Sequence, residues 1–544
     1  MLRKTDRSSA MHHFIAVCWA LFVLALLFVC WKQFVIKCHD ISIPGPKATS
    51  WITGNLLDLH SPDGIEMHKK MFRDYGGVVK FHGFFGNEQL FIADPLALRE
   101  ITSKHQGVFP ETSLFIELNR LMFGNSLTAI HGAGHRAARR LLNPIFAPSS
   151  LKNFEKRMEP IGEELCQVLR SHMATNGPSE VEIWTLIWRS SLDFLGCSFL
   201  KYPFQALTSG NENFYVKSIP HLFPLLRKLG PAIFLLPYAN RCGSPAFRRW
   251  IAGIIPWKPL QDFRTIIQAI EDNGNMLLQQ GITLDSPGVK SHMFEDQQSL
   301  AAFLLNETNN PECTKAYKDN AVGHINLLIF AAAETTTGAI AHALYELSCQ
   351  PEIQKALRLE LKSNKCKDRV ESNMGTLLDA VIKETLRLHP PVIKVDRVAL
   401  EDTRIRLRYP IVGSNGIPMT EITVCKNQQI SLGILGLNTD TRIWGADATT
   451  WNPYRWLEKL PQTVQDAQIP GVFSSIMTFL GGERSCIGYS FALLEMKIAL
   501  QAIILQFKIS KSVNPVVWKW GNTQYPHVKG KDMPQLWLQM EPID

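Results

Sequence analysis

The amino-acid sequence predicts a mainly α-helical protein with a small β-rich part and one transmembrane helix at its N-terminus. Three observations support this fold class. Residues 14–31 form a run of eighteen residues without a charged side chain. Residues 78–85 and 89–93 are apolar or alternating on either side of Gly86-Asn87, a pattern typical of a β-hairpin. Most of the remaining chain has apolar residues at helical spacing.

The composition is that of a packed globular protein. Of 544 residues, 46% are hydrophobic and 19% are charged, which excludes a disordered chain, a collagen and a coiled coil. The net charge of +8 is spread along the chain, so we do not expect nucleic acid as a partner. The eleven cysteines include no C-x-x-C pair and no zinc-finger spacing. We therefore expect reduced thiols that face the cytosol.

The uncharged run near the N-terminus predicts a membrane anchor. Residues 14–31 would span roughly 27 Å as a helix, close to the thickness of a bilayer core. A cleaved signal peptide is the alternative, but its apolar part is shorter and ends at a small-x-small site that is missing here. We divide this region into a tail (residues 1–13), a transmembrane anchor (14–31) and a linker with a Pro-Gly-Pro hinge (32–46). Positive charges flank both ends equally, so charge alone leaves the orientation open.

The rest of the chain, residues 47–544, is predicted to be one domain because it contains no flexible linker and no internal repeat. The segment 219–260 is rich in apolar residues but is interrupted by prolines, so it cannot cross a bilayer. Two interpretations of this segment stay open: a buried helix-loop-helix, or a substrate entrance that touches the membrane.

The segment 479–488 is the most informative part of the sequence. It is a glycine-containing loop with one cysteine, Cys486, and it runs directly into an apolar-periodic stretch without proline or glycine at residues 489–507. A thiol at the start of a helix is close to unpaired amides and the positive end of the helix dipole, which lower its pKa toward a metal-binding thiolate. Arg484 is expected to add to this effect.

This loop resembles the haem-thiolate signature of the cytochrome P450 family. The pattern Phe-x-x-Gly-x-Arg-x-Cys-x-Gly is matched at Phe479, Gly482, Arg484, Cys486 and Gly488. The resemblance implies that these residues bind haem b and that Cys486 is the axial ligand of its iron. It also implies one large helical fold with a small β-rich lobe.

Two further segments are similar to motifs of the same family. Glu384 and Arg387 lie three residues apart on a predicted helix that ends before Pro390-Pro391. From residue type alone they could be a solvated ion pair. In the family such a pair forms a buried network with the arginine of a Pro-x-Arg segment, which is Arg455 here. Family members often carry Glu at the position of Tyr454, so this sequence departs from the pattern there.

A long predicted helix at residues 320–350 contains Glu334-Thr335, similar to the acid-threonine pair over the oxygen-binding face of the haem. The resemblance implies that the Thr335 hydroxyl opens the helix locally and that both residues relay protons during catalysis. Alternatively, Thr335 simply bonds to its own backbone. Ala332 stands where the family usually has glycine, so the oxygen groove is expected to be slightly narrower.

Three basic residues are expected to hold the haem propionates. His135 and Arg139, four residues apart on a predicted helix, resemble the family's Trp/His-x-x-x-Arg pair, and Arg397 follows the Pro390-Pro391 turn where a second arginine is expected. A solvated basic face would explain His135 and Arg139 equally well. Arg136 and Arg140 are candidates for contact with an acidic electron donor.

The resemblance, which is greatest to fungal microsomal members, implies a monooxygenase. Such an enzyme inserts one oxygen atom from O2 into a lipophilic substrate with electrons from NADPH. A separate NADPH-cytochrome P450 reductase delivers them, with cytochrome b5 as an optional second donor. A terpenoid or other fungal secondary metabolite is the expected substrate, facing residues 114–122, 325–330 and 392–395. The expected location is the endoplasmic reticulum membrane, with one span and a cytosolic body.

Two alternative functions would also require the cysteine loop. One is a haem-thiolate isomerase or dehydratase that does not use O2, against which the intact Glu334-Thr335 pair argues. The other is a non-enzymatic, membrane-anchored carrier of haem or another ligand, which would not need the proton relay.

Overall fold

The computed structural model of the chain describes residues 23, 27, 42–176, 179–209, 214–284, 300, 304, 315–363, 376–531 and 533–543. The predicted anchor (14–31) lies outside the described residues, apart from Val23 and Leu27, which are helical. The linker is described only from residue 42 onward. Lys80 donates from its backbone N–H to the Pro44 carbonyl at 2.9 Å, so the end of the linker lies against the first strand.

Helices form most of the described structure. They are α1 (Leu56–Leu59), α2 (Gly64–Tyr75), α3 (Pro95–Arg99), α4 (Ser113–Phe123), α5 (Gly132–Leu142), α6 (Pro148–Asn176), α7 (Ile183–Leu195), α8 (Ala206–Ser209), α9 (Phe214–Leu229), α10 (Leu236–Ala239), α11 (Pro245–Ile254), α12 (Lys258–Leu284), α13 (Lys315–Cys349), α14 (Pro351–Lys362), α15 (Leu377–Leu388), α16 (Ile434–Asn438), α17 (Thr441–Trp444), α18 (Gln462–Ala467) and α19 (Tyr489–Gln506).

The strands form small sheets. They are β1 (Val78–His82), β2 (Glu88–Ile92), β3 (Ser179–Glu182), β4 (Lys394–Val398), β5 (Thr403–Val412), β6 (Pro418–Val424), β7 (Gln429–Gly433), β8 (Phe507–Lys511), β9 (Val516–Trp520), β10 (Gln524–Val528) and β11 (Trp537–Pro542). The largest sheet has the order β1-β2-β7-β4, in which only the β2–β7 pair is parallel. The others are β3-β11-β8 and the hairpins β5-β6 and β9-β10.

The predicted hairpin is present as β1 and β2, with Val78 opposite Ile92. The first strand ends at His82, earlier than the pattern indicates, because Phe84–Gly86 form a tight 3-10 turn in which Phe85 has φ 53°. The predicted helices at 320–350 and 489–507 correspond to α13 and α19. The proline-rich segment 219–260 is divided among α9, α10, α11 and the start of α12.

The long helix α13 lies in the middle of the helical part. It packs against α7, α12 and α19. Residues 320–349 and α19 are each long and apolar enough to cross a membrane, but 72% and 56% of their most apolar stretches are buried inside the protein. We therefore regard both as core helices. Helix α9 and the segment Ala232–Ala239 meet the same criterion only when they are taken together as one span that is broken by an 82° bend.

The cysteines differ from the prediction at one position. Cys425, directly after β6, is disulfide-bonded, so the expectation of reduced thiols throughout is wrong there. Sequence spacing does not show which cysteines meet in the fold. The free thiols among the described residues are Cys166, Cys197, Cys242, Cys349 and Cys486.

Candidate active site

The cysteine loop, residues 479–488, is shaped by its own backbone and by a close neighbour. The Cys486 N–H donates to the Phe479 carbonyl at 2.8 Å, which closes the loop. Gly482 has φ 72°, and a Cβ there would lie 1.9 Å from the Thr102 carbonyl oxygen, so only glycine fits. Gly488 has ordinary φ −94°, and a Cβ there would lie 3.5 Å from the Phe146 ring. Packing within the protein therefore requires glycine at 482 but not at 488.

Cys486 is a free thiol with exposed surface. Protein nevertheless surrounds it, and burial raises the pKa of the Cys486 thiol, while the Gly488 backbone amide and the Arg139 charge oppose the rise. The thiol therefore lies in a recess of the protein, with surface that a small molecule can reach. The sequence predicted a lowered pKa with help from Arg484. In this structure burial raises the pKa of the Cys486 thiol by more than the backbone amide at the start of the helix lowers it. The cation that lowers this pKa is Arg139.

Arg139 holds the cysteine loop. Its Nη1 donates to the Ser485 carbonyl at 2.5 Å and the Glu483 carbonyl at 3.0 Å, and its Nη2 to the Ser485 hydroxyl at 3.0 Å. His135, one turn earlier on α5, is buried. Burial, with Arg484 and Arg139, lowers the pKa of His135 to about 4, so it is neutral at pH 7. The role of this pair in holding a propionate stays a prediction.

Arg397 and Arg484 share a carboxylate that the sequence analysis did not identify. Glu111 Oε1 lies 3.1 Å from Arg484 Nε and 3.4 Å from Arg397 Nη2, and Glu111 Oε2 lies 3.4 Å from His131 Nδ1. Burial favours the neutral acid, but the His131 hydrogen bond and the two arginine charges lower the pKa of Glu111 to about 2. Glu111 is therefore ionised, and it joins two residues that the sequence separates by 87 positions.

Glu384, Arg387 and Arg455 meet in a buried network. Arg387 donates to both carboxylate oxygens of Glu384 at 2.8 and 2.9 Å, and Arg455 Nε donates to Oε1 at 3.1 Å. The Trp456 indole N–H also donates to Glu384 at 2.9 Å. The side chains of Glu384 and Arg387 are 0% exposed, which excludes the solvated ion pair. Tyr454 points outward and is 43% exposed.

Burial opposes ionisation of Glu384, but the hydrogen bonds and charge of Arg387 outweigh it and hold the pKa of Glu384 below its usual value. Arg387 also donates to the carbonyls of Asn438 and Ala448 at 2.8 and 2.6 Å. The network therefore ties α15 to the end of α16 and to the loop before Arg455, which together precede the cysteine loop.

The segment Glu334-Thr335 lies in α13, which is continuous between its ends. Thr335 Oγ1 donates to the Ala331 carbonyl at 2.7 Å, so the hydroxyl binds its own helix without breaking it. Glu334 is half-buried and accepts a hydrogen bond from Thr523 at 2.9 Å. Burial raises the pKa of Glu334 to about 7, and the Thr523 hydrogen bond opposes the rise. Like Cys486, Glu334 keeps some solvent-accessible surface although protein surrounds its carboxyl group.

The charged residues in the predicted pocket segments pair with the protein. Lys394 donates to both oxygens of Asp396 at 2.7 Å. Arg120 donates to Glu117 at 2.6 Å, and Glu117 also accepts from Asn240 at 2.7 Å. Because these charges are satisfied within the chain, the segments offer mainly apolar contacts.

Comparison with known proteins identifies the family. The cytochrome P450 family model matches residues 43–517. The chain is 34% identical over 541 residues to cytochrome P450 monooxygenase 91 of Postia placenta, with 97% of this chain and 98% of that protein covered. Cytochrome P450 monooxygenase 81 of the same fungus is 32% identical, with 90% of each chain covered.

The chain belongs to the cytochrome P450 family. A third relative, a ganoderic acid synthetase of Ganoderma lucidum, is 27% identical with 97% of this chain and 98% of that protein covered. Membership makes this protein an oxygen-incorporating oxidoreductase that uses haem and O2.

The residues of this cytochrome P450 fit a haem. The thiol of Cys486 keeps accessible surface although protein surrounds it, so it could ligate a haem iron. Arg397 donates one N–H to the Asp396 carbonyl at 2.9 Å, and its Nη2 lies 3.4 Å from Glu111 in an ion pair, so these contacts engage at most two of its N–H donors. A guanidinium carries about five such donors, so Arg397 can also bind a carboxylate such as a propionate. Gly488 leaves room beside the cysteine.

Sequence reasoning missed Glu111, Thr523 and Trp456. Trp456 could have been identified from the sequence, because it directly follows Arg455, which was predicted to contact the same carboxylate. No local signal marks Glu111 or Thr523, since each contacts its partner across a long separation in the chain.

Proposed function

We propose that this cytochrome P450 inserts one oxygen atom from O2 into a lipophilic substrate, using haem b and electrons from NADPH that a separate reductase delivers. One observation carries the proposal: the fold contains both an accessible thiol that protein surrounds, Cys486, and a carboxyl that protein surrounds, Glu334. The pKa of Glu334, about 7, suits proton transfer at neutral pH. The thiol provides the ligand, and the carboxyl with Thr335 provides the protons.

The chain's own residues divide the work. Cys486 would ligate the haem iron, and Arg139 would keep the loop that carries it in place. Arg397 and Arg484, held by Glu111, would bind the propionates. Bound haem with a thiolate ligand supplies the chemistry that cleaves the O–O bond. Glu334 and Thr335 would take up and pass on protons, and the apolar pocket would orient the substrate and exclude water.

The substrate proposed is a terpenoid or another fungal secondary metabolite. The paired charges of the pocket segments leave apolar side chains to contact it, which favours a lipophilic molecule. The similarity to a ganoderic acid synthetase over nearly the whole chain supports this class.

The electron donor proposed is an NADPH-cytochrome P450 reductase, with cytochrome b5 as a second donor. A surface depression of about 460 Å³ lies beside the cysteine loop. It contains three arginines and is suited to an acidic partner. Its lining residues are His135, Arg136, Arg139, Arg140, Asn143 and Glu483.

We further propose that the protein is a single-pass protein of the endoplasmic reticulum membrane with its body in the cytosol. The apolar run at residues 14–31 supports the span. Large apolar side chains are exposed in the described body, among them Trp51 at 81%, Trp250 at 61% and Ile254 at 60%. The ring centroids of Phe84, after β1, and Phe234, between α9 and α10, are 4.8 Å apart. This contact connects the exposed residues near the N-terminus of the body to those of the α9–α11 region. Such a surface is suited to contact with a bilayer.

The deciding experiment is microsomal expression of the full chain with a fungal reductase. The carbon monoxide difference spectrum should report thiolate-ligated haem, and mass spectrometry of extracts should find products heavier by one oxygen atom that require NADPH. Cys486→Ala should abolish the thiolate spectrum, and Thr335→Ala should lower product formed per NADPH.

The alternatives give different results in the same experiment. Product formation that does not require NADPH or O2 would identify an isomerase or dehydratase. A substrate-binding spectrum without any product across a broad panel of terpenoids would identify a carrier. Either result would overturn the monooxygenase proposal.

A further inference from the structure

The carboxyl of Glu334 is held by a residue from a distant part of the chain. Thr523, which is 1% exposed, donates from Oγ1 to Glu334 Oε1 at 2.9 Å across 189 positions of sequence. The second carboxyl oxygen, Oε2, is buried and has no hydrogen-bond partner among the described residues. One hydroxyl therefore provides the hydrogen bond that the structure gives this carboxyl.

The turn that carries Thr523 is itself fixed. It connects β9 to β10, and the Gly521 N–H donates to the Thr523 carbonyl at 3.0 Å. The next residue, Gln524, donates from its backbone to the Pro391 carbonyl at 2.9 Å and from its side chain to the Pro390 carbonyl at 2.8 Å. The hydroxyl of Thr523 therefore comes from an anchored turn and not from a mobile loop.

The helix that carries Glu334 lies directly against this turn. Gly338 is one helical turn after Glu334, and a Cβ at Gly338 would be 3.2 Å from the Gln524 carbonyl oxygen. The absence of a side chain at 338 lets α13 approach the turn closely. This close contact brings the Thr523 hydroxyl within hydrogen-bonding distance of the carboxyl.

We propose that Thr523 is a positioning residue that orients Glu334 and keeps its carboxylate form available to accept the next proton. The inference rests on the proposed function, in which Glu334 supplies protons. Thr523 does not contact the reacting atoms in this account, and it acts only through Glu334.

Burial is the largest influence on the pKa of Glu334, and this hydrogen bond is the influence that opposes it. Burial favours the neutral acid, and the Thr523 hydroxyl opposes it by donating to the charged form. No charged side chain in the described part of the chain contributes to the shift. His342, two turns further along α13, is fully enclosed, and burial lowers its pKa well below the usual value. It is therefore neutral and adds no charge.

The test compares Thr523→Val, which keeps the shape but removes the hydroxyl, with Thr523→Ser, which keeps the hydroxyl. Infrared titration of the haem-loaded full chain would follow the carboxyl band that Glu334→Gln removes. The Val variant should lower the acid dissociation constant of Glu334 about tenfold or more, because hydrogen bonds to charged groups are strong. The Ser variant should titrate like the unmodified protein. Equal midpoints for Val and the unmodified protein would overturn the proposal.

A second measurement separates this inference from the proposed function. With haem uptake and thiolate spectrum unchanged, the Val variant should form less product per NADPH and release more peroxide, and the Ser variant should restore coupling. If Glu334→Gln leaves coupling intact, the proton role of Glu334 is wrong, whatever the titration of the Thr523 variants shows. If Glu334→Gln uncouples the enzyme and Thr523→Val does not, the positioning role of Thr523 is wrong. Thr523→Ala replaces the Val variant if the latter fails to take up haem.

Discussion

Glu111 is the anion that Arg397, which is buried, and Arg484, which is partly buried, share. Arg397 and Arg484 would repel each other without it, and neither is fully exposed to water. The same carboxylate limits the positive charge that the pair presents to a propionate. The chain can thus hold two guanidiniums close together, largely shielded from water, because the carboxylate of Glu111, in the segment before α4, balances part of their charge.

We predict that Glu111→Gln lowers the free energy of unfolding by about 3 kcal/mol near pH 7, because breaking a buried ion pair leaves a charge uncompensated. The folded-state pKa of about 2 lies below the ordinary 4.5. The stabilisation is therefore present above about pH 4.5 and is lost as the pH falls toward 2. Denaturant unfolding at several pH values would measure this.

The matched control is Glu66→Gln, which removes the carboxylate of an ion pair with Lys69. The Glu66 side chain is 79% exposed, so its loss should cost less than about 1 kcal/mol. Equal costs for the two variants would show that Glu111 is not a buried counter-ion.

The cysteine loop depends on a few close contacts made by neighbouring elements. The π-helical segment Glu100–Lys104 brings the Thr102 carbonyl against Gly482, and α5 brings Arg139 against the carbonyls of residues 483 and 485. The start of α19 completes the loop. The position of Cys486 is therefore determined by three elements together.

We predict that Gly482→Ala destabilises the loop by about 2 kcal/mol or more. The substitution combines a left-handed backbone with a collision against the Thr102 carbonyl. Gly488→Ala, in the same loop, has ordinary φ and room for a methyl group within the protein, so its cost to stability should be below about 1 kcal/mol. Thermal unfolding of both variants checks the difference, and similar losses would contradict this account of the loop.

Two enclosed carboxyls influence the stability of the whole molecule. Burial raises the pKa of Glu334 to about 7 and that of Glu495, on α19, to about 8. Each of these two carboxyls therefore stays protonated in the folded chain at pH values where it is ionised in the unfolded chain, from about pH 4.5 up to about 7 for Glu334 and about 8 for Glu495. The contribution of each to stability falls as the pH rises through its interval.

We predict that Glu495→Gln, which keeps the shape and remains neutral, removes part of this pH dependence. One proton contributes a slope of roughly 1.4 kcal/mol per pH unit between the unfolded and folded pKa values. The variant should therefore be more stable than the unmodified protein at pH 8 and similar to it near pH 4.5. A parallel pH dependence of the two proteins in denaturant unfolding would contradict the assignment.

The exposed apolar surface on α11 is also a property of the whole molecule. We predict that a chain beginning at residue 42 still binds lipid vesicles, and that Trp250→Glu combined with Ile254→Glu weakens this partitioning about tenfold or more. Leu359→Glu, on α14, is the control, because Leu359 is 62% exposed and lies outside this surface. Equal binding by the two variants in vesicle sedimentation would exclude α11 as a membrane contact.

The sequence by itself determined the helical class, the β1–β2 hairpin, the C-terminal end of α15 before Pro390, and the cysteine loop with its candidate ligand Cys486. These features depend on local patterns: apolar periodicity, prolines, and a motif of ten consecutive residues. The contact between Glu384 and Arg455 was also predicted, but only from the family resemblance.

Only the tertiary structure decided which hydrogen-bond donors meet which acceptors across long separations in the chain. Arg139 reaches Glu483 across 344 positions, and Thr523 reaches Glu334 across 189. It also decided that burial outweighs the helix start at the Cys486 thiol. Hydrogen bonds, ion pairs and desolvation depend on distances between side chains in space, and those distances exist only after helices and strands that are remote in sequence have packed together.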